Sequence, residues 1–128
     1  MNKINYQKEL EHLIDKLPDH HRRLFLHSCC APCSSYVLEY LSRYFAITLF
    51  FYNPNIAPEE EYLHRKAELK RLVQELPLGH PVRIVDGDYV PERFYALAKG
   101  LEDLPERGLR CQKCIGHRLE ETFRIALQ

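Results

Sequence analysis

A chain of 128 residues, 45% hydrophobic and 28% charged, fits one domain and leaves little room for two. Five glycines and eight prolines exclude a low-complexity chain, and no apolar run approaches the ~20 residues that span a bilayer. Eighteen Lys plus Arg balance eighteen Asp plus Glu, so any nucleic-acid partner must meet a local basic surface rather than a global excess.

The first stretch, MNKINYQKELEHL, is polar and lacks the apolar core of a secretory signal, so the expected location is the cytoplasm, with no membrane partner. Ile4, Leu10, Leu13, Ile14 and Leu17 predict a helix over 4–17, ended by Pro18. Leu24–Leu26 reads as a short buried strand, followed by a sharp break at His27–Cys33. Val37, Leu38 and Leu41 mark a helix over 34–44. AITLFFY over 46–52 is the strongest strand signal, closed by the Asn53-Pro54-Asn55 turn. Pro58 and the run Glu59–Glu61 suit a helix start, and Leu63, Leu69, Leu72 and Leu76 carry that helix to about 76. A third strand follows over 82–85, then a turn at Asp86–Asp88 and a helix over 89–99. After a loop over 100–108, a last helix runs from Cys111 with Ile115, Leu119, Phe123 and Leu127.

The order α-β-α-β-α-β-α-α predicts an α/β protein with a parallel sheet of about three strands and flanking helices. In such sheets ligands sit beyond the carboxyl ends of the strands. Cys29–Cys33 follow the first strand, Asn53 the second, and Asp86 and Asp88 the third. Three loops thus converge on one edge.

Five cysteines, an odd number, argue against a disulfide framework in a reducing compartment. They form two CxxC motifs, Cys30–Cys33 and Cys111–Cys114, with Cys29 beside the first. A helix mouth favours thiolate, which is both nucleophile and metal ligand. Several chemistries are compatible. A thioredoxin-like site would use Cys30 and Cys33 alone and leave three cysteines without a role. A structural zinc site would use both pairs, although their separation far exceeds its usual ~15–20 residues. An iron–sulfur site tolerates distant ligands. Small buried hydrophobes are the fourth reading.

From Leu24 onward the chain resembles the cobalamin-independent epoxyqueuosine reductases, the QueH family. The resemblance rests on His27-Ser28-Cys29-Cys30-Ala31-Pro32-Cys33-Ser34, Phe51-Tyr52-Asn53-Pro54-Asn55-Ile56, Pro58-Glu59-Glu60-Glu61-Tyr62, Arg65-Lys66 and Asp88-Tyr89. It continues through Gly100-Leu101-Glu102, Pro105-Glu106, Gly108, Arg110-Cys111, Cys114 and Arg118-Leu119-Glu120. It implies a single domain over 1–128, with 1–23 as an added helix and connector and 24–128 as the family region. The implied fold is similar to the adenine nucleotide alpha hydrolases, with cysteines where those keep a phosphate loop. The implied activity is reduction of epoxyqueuosine to queuosine at the tRNA wobble position. The implied cofactor is a 4Fe–4S cluster with an adjacent iron, supplied by an unidentified electron donor. Carried over by motif, Cys29, Cys30, Cys111 and Cys114 would be ligands and Cys33 would hold the adjacent iron. Cys33, Tyr52 and Asp88 are the catalytic candidates, with Tyr89 and Glu102 as further proton donors. Asn53, Asn55, Arg110 and Arg118 are the substrate-binding candidates. Family members usually continue well past this point through a second half, so a fragment or shortened member is expected, with the last helix lacking its partner and leaving an exposed sheet edge or an apolar patch. A metal-binding homologue without the reaction is the alternative, and the oligomeric state is open.

Two basic groups stand out. Arg65, Lys66, Lys70 and Arg71 read as a solvated helix face. Arg107, Arg110, Lys113 and Arg118 surround the second CxxC, where they could meet phosphates or offset thiolate charge. His27 reads either as a site residue or as one that orients the loop, and His117 as a ligand or an exposed helix residue. Tyr52 is the aromatic residue placed to stack on or hydrogen-bond a base.

Overall fold

The computed structural model describes residues 3–128. Within them α1 (Tyr6–Asp15), β1 (Arg23–His27), α2 (Ala31–Leu41), β2 (Ala46–Phe51), α3 (Glu59–Glu75), β3 (Arg83–Asp86), α4 (Pro91–Ala98) and α5 (Leu109–Ala126) follow in the expected order. The three strands form one parallel sheet in the order β1-β2-β3. This is an α/β architecture of Rossmann-like kind.

β2 is apolar apart from Thr48, as suits the central strand with neighbours on both sides. Ile47, Leu49 and Phe51 point to one face and join Leu38 of α2 and Leu69 of α3 in the core. Phe50 points to the other, where it stacks on Phe25 of β1 at 5.4 Å between ring centroids and on Tyr52 at 5.7 Å. Each such buried side chain contributes about 1.5–3 kcal/mol relative to exposure. α2 packs against α3, while α5 packs on β1 and α4.

The register places the site. His27 pairs with Phe50, and Phe51 pairs with Asp86, so all three strands end almost level. The loops after them therefore leave from one edge of the sheet, as the alternation predicts. At the end of β3 the Gly87 amide donates to the Phe51 carbonyl at 2.8 Å. A Cβ at Gly87 would stand 2.8 Å from the Tyr52 Cβ, so only glycine lets this turn lie against that ring.

Element ends differ from expectation where local chemistry takes over. α1 starts at Tyr6, because the Asn5 side chain accepts from the Lys8 amide at 3.1 Å and caps it. α2 starts at Ala31 rather than Ser34. Pro32 is well suited to a first turn, so Cys33 lies inside the helix and not in the break before it. α5 starts two residues before Cys111. Its outer face leaves Ile115, Leu119, Phe123 and Leu127 exposed, the apolar patch expected of that helix. Among the described residues no helix is long and apolar enough to cross a membrane.

The core makes a direct prediction. Leu49→Ala and Leu69→Ala, both at fully buried positions, should each lower unfolding free energy by about 2–5 kcal/mol in urea titrations. Leu63→Ala, at a half-exposed position of α3, should change it by under about 0.5 kcal/mol. Equal effects at all three would contradict the packing.

Candidate metal centre

β1 delivers the first cysteines to the sheet edge. Ser28 is buried, its amide bonded to the Phe50 carbonyl at 3.0 Å and its hydroxyl to that of Ser34 at 2.6 Å. The chain then turns through Cys29 and reaches Cys30, which caps α2 in extended backbone. Cys33 follows in the first turn. The sulfurs of Cys29, Cys30 and Cys33 all lie within 4.8 Å of one another, with Cys29 and Cys30 3.8 Å apart. Three soft donors converging this closely fit a thiophilic metal.

Their protonation is uneven. Burial pushes the Cys29 thiol up to about 11, with the charge of Cys30 adding to the effect. Burial acts upward at Cys30 as well, but hydrogen bonds from the Cys33 amide and from both neighbouring thiols outweigh it and hold Cys30 below 9.0. Cys33, exposed, is raised by its hydrogen bond to Cys30 and by that residue's charge. Proton loss therefore begins at Cys30. Arg65 of α3 favours that thiolate by charge and lines, with Cys30, Ser35 and His64, a cavity of about 680 Å³. The Arg65–Lys66 stretch looked like a solvated face in the sequence. Arg65 keeps that character in its ion pair with Glu61 at 2.7 Å, while the α2–α3 packing brings its charge to the cysteines.

The second CxxC sits at the head of α5. Arg107 adopts left-handed backbone at φ 70°, and its amide donates to the Cys111 sulfur at 3.3 Å. Cys114, one turn on, is buried. These two cysteines stand outside the three-thiol group and line a smaller cavity of about 210 Å³ with Asn55, Arg110 and Arg118. Arg110 is tied to the Glu102 carbonyl at 2.6 Å, which anchors the preceding loop.

Two hydrogen-bonded rungs cross from β1 through the end of β2 to α5. In the first, His27 Nε2 donates to the Tyr52 carbonyl at 2.7 Å, and the Tyr52 hydroxyl meets His117 Nε2 at 2.7 Å. In the second, Asn53 Nδ2 donates to the Ser28 carbonyl at 3.0 Å, and Asn53 Oδ1 accepts from Arg118 at 3.5 Å. Burial lowers the pKa of His27, consistent with a residue that orients the loop. His117 is held by Tyr52 rather than exposed. The Tyr52 ring has no exposed surface, since strand alternation turns it toward Phe50, Gly87 and α5. It is thus closed to base stacking, contrary to the sequence reading. Asp88 is exposed on the loop after β3, one strand beyond β2. The Asn55 Oδ1 atom is buried without a partner.

The fold and the thiol group define a Rossmann-like α/β protein with three cysteines at the end of β1 that could hold a metal ion. Residues 24–128 match the family described as epoxyqueuosine reductase QueH, and the chain belongs to that family. It is 42% identical to the epoxyqueuosine reductase QueH of Staphylococcus epidermidis over 98% of this chain and 56% of that protein. The proteins of the same name from Acinetobacter baylyi and Haemophilus influenzae are 47% and 46% identical, over 88% and 87% of this chain and 50% and 44% of theirs. The chain spans about half the length of the curated relatives it matches.

The uneven thiols predict a pH-dependent order of modification in metal-free protein. At pH 8 Cys30, whose thiol is held below its ordinary value by hydrogen bonds, keeps more thiolate than Cys29, pushed up to about 11. Cys30 should therefore react with iodoacetamide before Cys29. Peptide mass mapping over time checks it, and Cys29 reacting first would contradict the assigned environments.

Proposed function

We propose that this chain carries the metal-binding part of an oxidoreductase that reduces epoxyqueuosine in tRNA to queuosine. The observation that carries the reading is the convergence of Cys29, Cys30 and Cys33 within 4.8 Å in a chain of the QueH family. Family membership favours it over a thioredoxin-like dithiol, which would leave Cys29, Cys111 and Cys114 without a role.

The donor set fits the group. Thiolates are the ligands that iron–sulfur clusters take, and the ligands come from segments distant in sequence. Cys29, Cys30, Cys111 and Cys114 would hold a 4Fe–4S cluster, and Cys33, the exposed thiol of the group, an adjacent iron. Bound there, these centres supply the electrons and the Lewis acid that epoxide deoxygenation requires. Removal of the oxygen takes two electrons and two protons, breaks both C–O bonds, forms the C=C bond and releases water. Zinc supplies no electrons, which separates this reading from a structural site.

The chain's own residues hold the remaining roles. The low thiol pKa of Cys30 prepares it as the first ligand to shed its proton. Arg65 offsets negative charge gathered at the cysteines. The Tyr52 hydroxyl, hydrogen-bonded to His117, and Asp88 on the loop after β3 are the groups assigned to proton transfer. Asn55 and Arg110, which line the cavity beside Cys111 and Cys114, are assigned to substrate contact. The cytoplasm, where tRNA is modified and thiols stay reduced, is the matching compartment.

The test is anaerobic purification or reconstitution with iron and sulfide. The expected protein is brown, contains iron and acid-labile sulfide, bleaches on reduction and converts epoxyqueuosine in tRNA. Cys29→Ala and Cys114→Ala should each lose the colour and fall below detectable turnover. A colourless wild-type protein after competent reconstitution overturns the reading, and colour without turnover leaves only the metal site.

A further inference from the structure

We infer that Asn53 and Arg118 are positioning residues that clamp the Cys29–Cys30 loop to the Cys111–Cys114 helix, so that both cysteine pairs serve one centre. The inference rests on the metal-centre reading above and gives these two residues a role other than substrate contact.

Asn53 is wholly buried, where an amide that lacked partners would be costly. Its two ends are spent in opposite directions. Nδ2 donates to the carbonyl of Ser28, the residue before Cys29, at 3.0 Å. Oδ1 accepts from Arg118 Nη1 at 3.5 Å. The same guanidinium donates through Nε to the Cys114 carbonyl at 3.4 Å. One continuous chain of polar contacts therefore joins the backbone beside the first cysteines to the backbone of the last.

The half-buried Arg118 side chain is held from both ends of its guanidinium, by Asn53 Oδ1 and by the Cys114 carbonyl. A half-buried guanidinium directed at Asn53 is not presented to a phosphate. Its planar fork can meet two acceptors at once, which a lysine ammonium on a flexible stem does less well. Asn53, two residues past the end of β2, holds the other end through its bond to the Ser28 carbonyl. Outer groups of this kind orient metal ligands, and their loss typically weakens metal binding by about 10–100-fold.

The test uses Co²⁺ on the metal-free full chain under anaerobic conditions. The thiolate-to-cobalt charge-transfer band grows with the number of thiolates bound. Wild type should give a stronger band than the Cys111→Ser/Cys114→Ser double variant, which keeps only the first three cysteines. Arg118→Met should bind Co²⁺ about 10–100-fold more weakly and show the band of that double variant. Its far-UV spectrum should match wild type, since Arg118 is a half-buried helix residue. Arg118→Lys should recover part of the affinity, as a merely space-filling role would not allow. If Arg118→Met loses its helical signal, Asn53→Ser is read in its place, with the same loss expected.

Undiminished affinity and a full band in a folded Arg118→Met overturn the clamp while leaving the metal site intact. A wild-type band no stronger than that of the double variant shows that the two pairs do not share an ion, and also overturns it. Wild type that binds no Co²⁺ through thiolate at all overturns the metal-centre reading, and this inference with it.

Discussion

The two hydrogen-bonded rungs from β1 through the end of β2 to α5 are the constraint on which the site depends. His27 to Tyr52 to His117 is one, and Ser28 to Asn53 to Arg118 is the other. Each bond of this kind contributes only about 1 kcal/mol net. Their larger effect is negative. Asn53 and Tyr52 are wholly buried, so any arrangement that separated the three elements would strand polar atoms away from water. The central strand thus does one job and its continuation another: its apolar side chains hold the core, and the two residues that follow it, Tyr52 and Asn53, hold the cysteine loop and the cysteine helix together.

That arrangement concentrates like charge. Three sulfurs within 4.8 Å cannot all ionise freely, and the raised thiols of Cys29 and Cys33 beside the lowered one of Cys30 record the conflict. Arg65 of α3 lines a cavity with Cys30. A cation bound at the three sulfurs would relieve their mutual repulsion. The same crowding that strains the metal-free thiols makes them a strong soft-ligand set.

The fold was largely legible because its signals are local. Hydrophobic runs marked all three strands, helical periodicity marked the helices, and their alternation implied a parallel sheet with its loops on one edge. The misplaced boundaries have equally local causes. Pro32 permits a first turn that draws Cys33 into α2, and the Asn5 side chain sets the start of α1. The Cys29–Cys33 group was legible too, since spacing of this sort is enforced by a single turn.

What the sequence determined by itself was the donor chemistry: five thiols in two motifs, placed by strand order at one end of a sheet, in a chain whose family region runs through 24–128. What only the tertiary structure decided was how those donors are presented. Tyr52 looked available for a base, and strand alternation closed it against Phe50 and Gly87. Arg65 looked like one charge on a wet helix, and the packing of α3 against α2 brought it to Cys30. Arg118 could equally meet a phosphate or sit beside thiolates by its sequence position, and the structure sets it against Asn53, 65 residues earlier. Residue type and near-neighbour spacing set which atoms can ligate, ionise or hydrogen-bond. Which of them meet depends on contacts between segments far apart in the chain, and no local pattern encodes those.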